Sequence, residues 1–217
     1  VYHEDITGKE ITSHIYEQCK KRDNITIKEY WTMVDIIPNR EADQETNECL
    51  GVVVKKADGT LDTIYADFTV LASGGIGGIY RYSTNYRHLT GDAVATAIRH
   101  NVELKDIDYV QIHPTTFYSE KEEDRSFLIS ESVRGEGALL YDKDKERFTD
   151  HVWLSMKPIE KEQLTTHFPN IVEHCREQGY NVPEEMIPVV PAQHYFMGGI
   201  KVNLQSKTSM DRLYAVG

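Results

Sequence analysis

Residues 68–78 read Phe-Thr-Val-Leu-Ala-Ser-Gly-Gly-Ile-Gly-Gly, and the fold class rests on them. Phe68–Ala72 is a short, continuous apolar run of the kind that a parallel sheet buries on both faces. It leads straight into Ser73-Gly-Gly-Ile-Gly-Gly78. Glycines at the C-terminal end of such a strand let a ligand approach the backbone closely, and open α/β sheets bind ligands at those ends. The same glycines equally suit a tight turn with positive φ. Leu213-Tyr-Ala-Val-Gly217 repeats the pattern, an apolar strand ending in glycine. Together they predict an α/β core. Neither opens a GxGxxG fingerprint with its downstream acid, and none occurs elsewhere in the chain.

Upstream, Leu50–Lys55 and Leu61–Tyr65, joined around Ala57-Asp-Gly59, predict a hairpin. Asn39–Glu48 is polar and acidic, which predicts a surface loop. Tyr30–Ile37 reads as a strand stopping at Pro38, and Ile25–Ile27 as another. Gly8–Lys21 carries Ile11, Ile15 and Cys19 at helical spacing, with Asp5 and Thr7 as capping candidates. Lys20, Lys21 and Arg22 complement the C-terminal end of that helix.

Downstream, Thr90-Gly-Asp92 introduces an Ala-rich helix, Ala93–His100. Thr90 or Asp92 caps it, or its exposed N–H groups and dipole receive a phosphate or ribose. Tyr109–Ile112 predicts a strand running into His113-Pro114, where the proline holds His113 in extended geometry. His113 is either a satisfied structural histidine or one aimed at a ligand.

The densest chemistry lies in Ser126–Ala138, SFLISESVRGEGA. Ser130, Glu131, Arg134 and Glu136 follow an apolar lead-in, and a helical turn places Glu131 and Arg134 on one face. They form either a surface ion pair ahead of a glycine turn or an acid–base pair. Ala138–Tyr141 predicts a strand and Asp142–Glu146 a charged turn. Glu160–Phe168 and Ile171–Gln178 predict helices, the second ended by Gly179. Ile187–Pro191 is extended and delivers His194-Tyr195, and Gly198-Gly199 precedes a strand at Ile200–Val202.

With 217 residues, 40% of them hydrophobic and 27% charged, the chain is long enough for one large or two small globular domains. Its 24 basic and 35 acidic residues give a net charge of −11 without a basic stripe. That argues against nucleic acid or an anionic membrane as partner. Three dispersed cysteines, without a CxxC pair, suggest a reducing compartment, each thiol serving as a small buried hydrophobe. No apolar run has membrane-spanning length and no signal peptide opens the chain, so the cytoplasm is the expectation, with a lost leader left open. No residue set is nominated for a metal.

VLASGGIGGIY, LTGD, QIHPTTFY, LISESVRGEGALL, RF, PVVPAQHYFMGGIKV and TSMDRLYAVG occur in the order found in the succinate dehydrogenase/fumarate reductase flavoprotein family. The chain resembles that family along nearly its whole length. PAQHY, with Ala192 where the respiratory members more usually carry Thr, and PNIVEHCREQGYNV make it most similar to the branch that oxidises L-aspartate in bacterial NAD synthesis. The resemblance implies FAD and a partial FAD-binding domain (residues 1–112 and 195–217) interrupted by an α+β capping domain (113–194). It implies oxidation of L-aspartate, or another four-carbon dicarboxylate, with oxygen or fumarate as electron acceptor and quinolinate synthase as a partner. By position it assigns His113, Ser130 and His194 to the substrate and Glu131 and Arg134 to proton transfer. Ser73, Gly74, Gly75, Asp92 and Gly198 fall to the cofactor.

The departures from the family are equally specific. The N-terminal Rossmann βαβ and the substrate-binding segment after Gly217 are missing, which suggests truncation. Between Asp150 and His151 the family carries a helix with a catalytic arginine; here the junction resembles an excision, and neither Arg125 nor Arg147 matches. Ser130 stands where Thr is commoner, and TGDA replaces TGDG. The expectation is that these 217 residues alone are catalytically silent. Two alternatives stand beside the main reading: a fumarate reductase or succinate dehydrogenase flavoprotein subunit, and a non-catalytic fragment without cofactor.

Overall fold

The computed structural model describes residues 7–41, 44–121, 124–142 and 151–217, and for residues 40, 41 and 44–46 the backbone alone. Asp5, most of the charged turn after Asp142, Arg147 and the Asp150 side of the junction lie outside the described residues. In chain order the elements are α1 (Thr7–Lys20), β1 (Thr32–Glu41), β2 (Gln44–Lys55), β3 (Leu61–Tyr65), β4 (Thr69–Leu71), α2 (Asp92–Arg99), β5 (Leu104–Lys105) and β6 (Val110–Phe117). There follow α3 (Glu131–Gly135), β7 (Leu139–Tyr141), β8 (Val152–Ser155), α4 (Lys161–His167), α5 (Pro169–Glu177), β9 (Ile187–Phe196), β10 (Gly199–Ile200) and β11 (Leu213–Ala215). The chain divides into two compact units. One holds Lys28–Ile112 and Gln193–Gly217; the other holds His113–Ala192 and the described residues before Lys28.

In the first of these units β1, β2 and β3 form an antiparallel sheet in that order. The hairpin predicted at Leu50–Tyr65 is present, with Lys55 opposite Leu61. Pro38 does not end its strand. β1 lies at the sheet edge and its register shifts at Ile37/Pro38, so a missing N–H is tolerated there. β1 runs on to Glu41 and β2 starts at Gln44, so the loop expected over Asn39–Glu48 is largely paired backbone. Residues 25–27 form no strand; the Ile25 N–H closes a turn on Arg22 O behind α1.

β4 and β11 pair in parallel, Leu213 with Thr69 through Ala215 with Leu71, which sets the two glycine-ended runs side by side. The expectation of burial on both faces fails. Leu71 is buried, but Val70 is 56% and Phe68 63% exposed. Leu71 and Leu213 join Ile36, Cys49, Ala97 and Met210 in this unit's core. α2 is capped neither by Thr90 nor by Asp92. Gly91 occupies the cap position at φ +82 without a side-chain bond, a conformation that glycine adopts without strain.

The other unit carries a four-stranded sheet in the order β6-β9-β8-β7, to which β6 and β9 contribute the residues on its side of the division. β7, β8 and β9 are antiparallel neighbours. Pro114 again lies in an edge strand. Ile129, Val133, Leu154, Leu164 and Ile187 are fully buried in its core. Side chains of this kind each stabilise by roughly 1.5–3 kcal/mol on burial. Pro169 stops α4 and opens α5, at the helix position where its missing N–H costs nothing. Gly179 ends α5 as expected: at φ +88 it donates to Arg176 O, and Tyr180 N–H to Cys175 O, a Schellman closure. α1 forms where the apolar spacing predicts it but buries no side chain, Ile15 being 59% exposed. Cys19 on it is only partly buried, unlike Cys49 and Cys175.

Candidate functional site

Within the Lys28–Ile112/Gln193–Gly217 unit a cleft of about 590 Å³ opens at the C-terminal ends of β4 and β11. Ser73, Gly74, Gly75 and Gly198 line it; Asp92 does not, although its neighbours Ala93 and Val94 do. Asp92 instead receives the Thr90 hydroxyl at 3.1 Å. The glycines serve the wall more than the opening. Gly74 sits at φ +72. A Cβ on Gly75 would lie 2.9 Å from Phe196 Cβ, and one on Gly198 1.9 Å from Asp106 O. Their bareness lets the strand ends and the Tyr195–Val202 segment close into one wall. Leu89, Val94 and Ile200 make part of it apolar, and Lys105 and Lys201 bring cations.

In the same unit His194 is held by a polar cluster that sequence reading did not nominate. Thr84 Oγ1 lies 2.8 Å from His194 Nδ1, and Asn85 Nδ2 donates to His194 O at 2.8 Å. Gln193 is fully buried; its Oε1 accepts from Ser83 Oγ at 2.8 Å and Asn85 Nδ2 at 3.2 Å, while its Nε2 has no hydrogen-bond partner among the described residues. A Cβ on Gly77 would meet Gln193 Oε1 at 2.5 Å, so the cluster needs that glycine. The partners lie about 110 positions apart, which no local pattern displays.

Away from the cleft, Asp35 of β1 accepts from His100 Nε2 at 2.8 Å, Arg99 at 3.3 Å and the Ile36 N–H at 3.0 Å. Burial pushes its pKa up, but these bonds outweigh burial and hold the carboxyl below its ordinary value.

The unit containing His113–Ala192 holds the remaining candidates. Ser130 caps α3, accepting the Ser132 N–H at 3.3 Å. Glu131 and Arg134 pair across the helix turn at 3.6 Å, with Glu131 82% exposed, so the pair is a weak, solvated one. The Arg134 Nε is buried and has no hydrogen-bond partner among the described residues. Gly137 ends α3 at φ +119, its N–H on Arg134 O and that of Ala138 on Val133 O, a second Schellman closure. Glu136 ties this helix to α4 through His167 at 2.7 Å and Gln163 at 3.1 Å. His113 is buried, its Nδ1 within 3.1–3.2 Å of Thr115 O and N. Ser130, Glu131 and Arg134 thus share one short helix in the unit of His113. His194 belongs to the unit that holds the cleft.

The family model described as FAD binding domain matches residues 2–151 and 149–217. The chain belongs to the FAD binding domain family. The two matches meet at the Asp150–His151 junction. This flavoprotein-family chain is 47% identical to an L-aspartate oxidase of Clostridium perfringens, over 239 aligned positions covering 100% of the chain and 53% of the relative. To an L-aspartate oxidase of Clostridium acetobutylicum it is 40% identical, covering 100% of the chain and 54% of that relative. A solved structure titled "Quinol-Fumarate Reductase with Menaquinol Molecules" shares its fold with a TM-score of 0.86 at 26% identity, covering 100% of this chain and 44% of the other. The chain spans about half the length of the curated relatives it matches.

The cleft fits the family's cofactor in kind. Glycine backbone at Gly74 and Gly75 lines it, its walls are part apolar, and Lys105 and Lys201, which also face Asp106 and Glu103, bring cations to it. Among the described residues no helix is long and apolar enough to cross a membrane. No group of three or more metal-ligating side chains occurs among them either.

Proposed function

We propose that the whole protein is an FAD-dependent oxidoreductase that converts L-aspartate to iminoaspartate, the first step of NAD biosynthesis, in the cytoplasm, where the three unpaired cysteines of this chain suit a reducing environment, and that these 217 residues alone are catalytically silent. The observation that carries this reading is the 47% identity to an L-aspartate oxidase across the whole chain. In the reaction L-aspartate loses two electrons and two hydrogens, one from the α-carbon and one from the amine. Oxygen or fumarate takes them up as hydrogen peroxide or succinate. Bound FAD supplies the two-electron acceptor.

Ser73, Gly74, Gly75 and Gly198, which line the cleft, are assigned to hold the cofactor; Asp92, assigned with them by resemblance, lies outside the lining. His113, Ser130 and His194 are assigned to the substrate carboxylates. Each presents a group able to donate a hydrogen bond to an anion. Arg134, with its buried Nε, and Glu131 at its side are assigned to the departing proton. The guanidinium is also assigned to stabilise negative charge as it develops. Quinolinate synthase fits this reading as the consumer of iminoaspartate.

A second reading, a fumarate reductase or succinate dehydrogenase flavoprotein, is favoured by the likeness to the quinol-fumarate reductase structure. Anaerobic addition of L-aspartate to the FAD-loaded whole protein tests the two. The first reading expects L-aspartate to bleach the flavin absorption band and fumarate to restore it. Bleaching by succinate but not by L-aspartate would replace it with the second. A whole protein that retains no flavin would refute both and leave a non-catalytic scaffold.

A further inference from the structure

We propose that Thr84 is a positioning residue: its hydroxyl proton is committed to His194 Nδ1, which fixes the neutral imidazole as the tautomer carrying hydrogen on Nε2. Two distances carry the assignment. Thr84 Oγ1 lies 2.8 Å from His194 Nδ1 but 3.5 Å from Gln193 O, its alternative acceptor. The first is an ordinary hydrogen-bond length and the second is at the limit where such a bond fades. Asn85 Nδ2 lies 3.3 Å from Thr84 Oγ1, but its two protons are drawn to the nearer His194 O and Gln193 Oε1, at 2.8 and 3.2 Å. A hydroxyl has one proton to give, and His194 Nδ1 is the acceptor within good reach. The opposite tautomer would place Nδ1–H against Thr84 and send the hydroxyl proton toward the distant carbonyl.

The arrangement is braced on both sides. Thr84 N–H donates to Gln193 O at 3.0 Å, and Asn85 Nδ2 holds His194 O at 2.8 Å. The backbone of the Ser83–Asn85 segment is thereby tied to the end of β9, and the hydroxyl cannot drift from the ring without breaking these bonds. With Nδ1 accepting, Nε2–H is a donor, the form that a carboxylate ligand requires. The functional part of the inference rests on the assignment of His194 to a substrate carboxylate; the tautomer itself does not.

The test uses the FAD-loaded whole protein labelled with ¹⁵N-histidine, with His194 assigned by the signals lost in His194→Gln. The expected spectrum shows a bare Nδ1 and a protonated Nε2 for neutral His194; the reverse pattern overturns the proposal. Thr84→Val is expected to give a mixture of tautomers and to raise KM for L-aspartate about tenfold, the worth of one neutral hydrogen bond, with kcat changed much less. Thr84→Ser restores both. Unchanged KM and tautomer in Thr84→Val would overturn the proposal. Should Thr84→Val fail to fold, the wild-type and Thr84→Ser spectra still decide it. A wild type with the expected tautomer that leaves L-aspartate untouched refutes the substrate reading alone.

Discussion

Gly198→Ala places one methyl group against backbone. The added Cβ would lie 1.9 Å from Asp106 O, 2.4 Å from Asp106 C and 2.8 Å from Ile107 Cα. None of these is a side-chain tip that can swing aside. To reach ordinary contact the Asp106 carbonyl must retreat by about 1.5 Å, and Asp106 immediately follows β5, which pairs with β10 at Gly199–Lys105. Overpacking of this kind costs about 1–3 kcal/mol when neighbours can yield; here backbone must yield, so the upper end is expected. In a chain of this size that corresponds to a fall in Tm of roughly 6–12 °C. Because Asp106, Gly198 and Gly199 all line the cleft, the displacement also deforms its wall, and FAD affinity should fall with stability. Gly135→Ala is the control: nothing lies within 4 Å of its Cβ position, and alanine favours the helix. Thermal unfolding followed by circular dichroism, with FAD titration by fluorescence quenching, reads both effects. A Gly198→Ala protein as stable and as tight for FAD as Gly135→Ala would refute the reasoning.

Two further outcomes follow from charge and burial. Asp35, with a carboxyl held below its ordinary value, contributes stability that is fully present above the unfolded value near pH ~4 and is lost as pH falls through the lower folded value. Asp35→Asn is therefore expected to lower stability by about 1 kcal/mol at neutral pH, a figure kept modest because a third of the side chain meets solvent, and to flatten the acid limb of a urea-melt series. Burial pushes the Cys175 thiol up to about 12, so Ellman's reagent at pH 8 should leave it unreacted in the folded protein while partly exposed Cys19 reacts, and both should react in urea.

What the sequence discloses here is what depends on near neighbours. The β2–β3 hairpin, the glycine ends of α3 and α5, and the two glycine-terminated strands are written in consecutive residues, and they form. β8 escaped notice because four residues beside an interrupted motif carry too little periodicity; its pairing with β7 and β9 makes it a strand. The Asn39–Glu48 stretch looked like a loop because its side chains are polar, yet an edge hairpin needs only backbone partners. For β4, an apolar run predicts a strand but not how many of its faces are covered, and Val70 is exposed. The candidate site divides in the same way. The glycines of the cleft and the Ser130 cap follow from local rules. The hold on His194 depends on Thr84 and Asn85, chain-distant residues brought beside it by folding.

The parallel pairing of Thr69–Leu71 with Leu213–Ala215 has a consequence for the order of events during synthesis. The floor of the cleft joins residues from opposite thirds of the chain, and all of His113–Ala192 is made between them. A nascent chain therefore has the first glycine-ended strand long before its neighbour exists. Through that interval the other unit's core, whose buried residues run from Phe117 to Val189, can already close. Pairing over such a span is among the slowest kinds of contact to form. The cleft therefore cannot assemble until Leu213–Ala215 has been made, by which time the core of the other unit can already have closed.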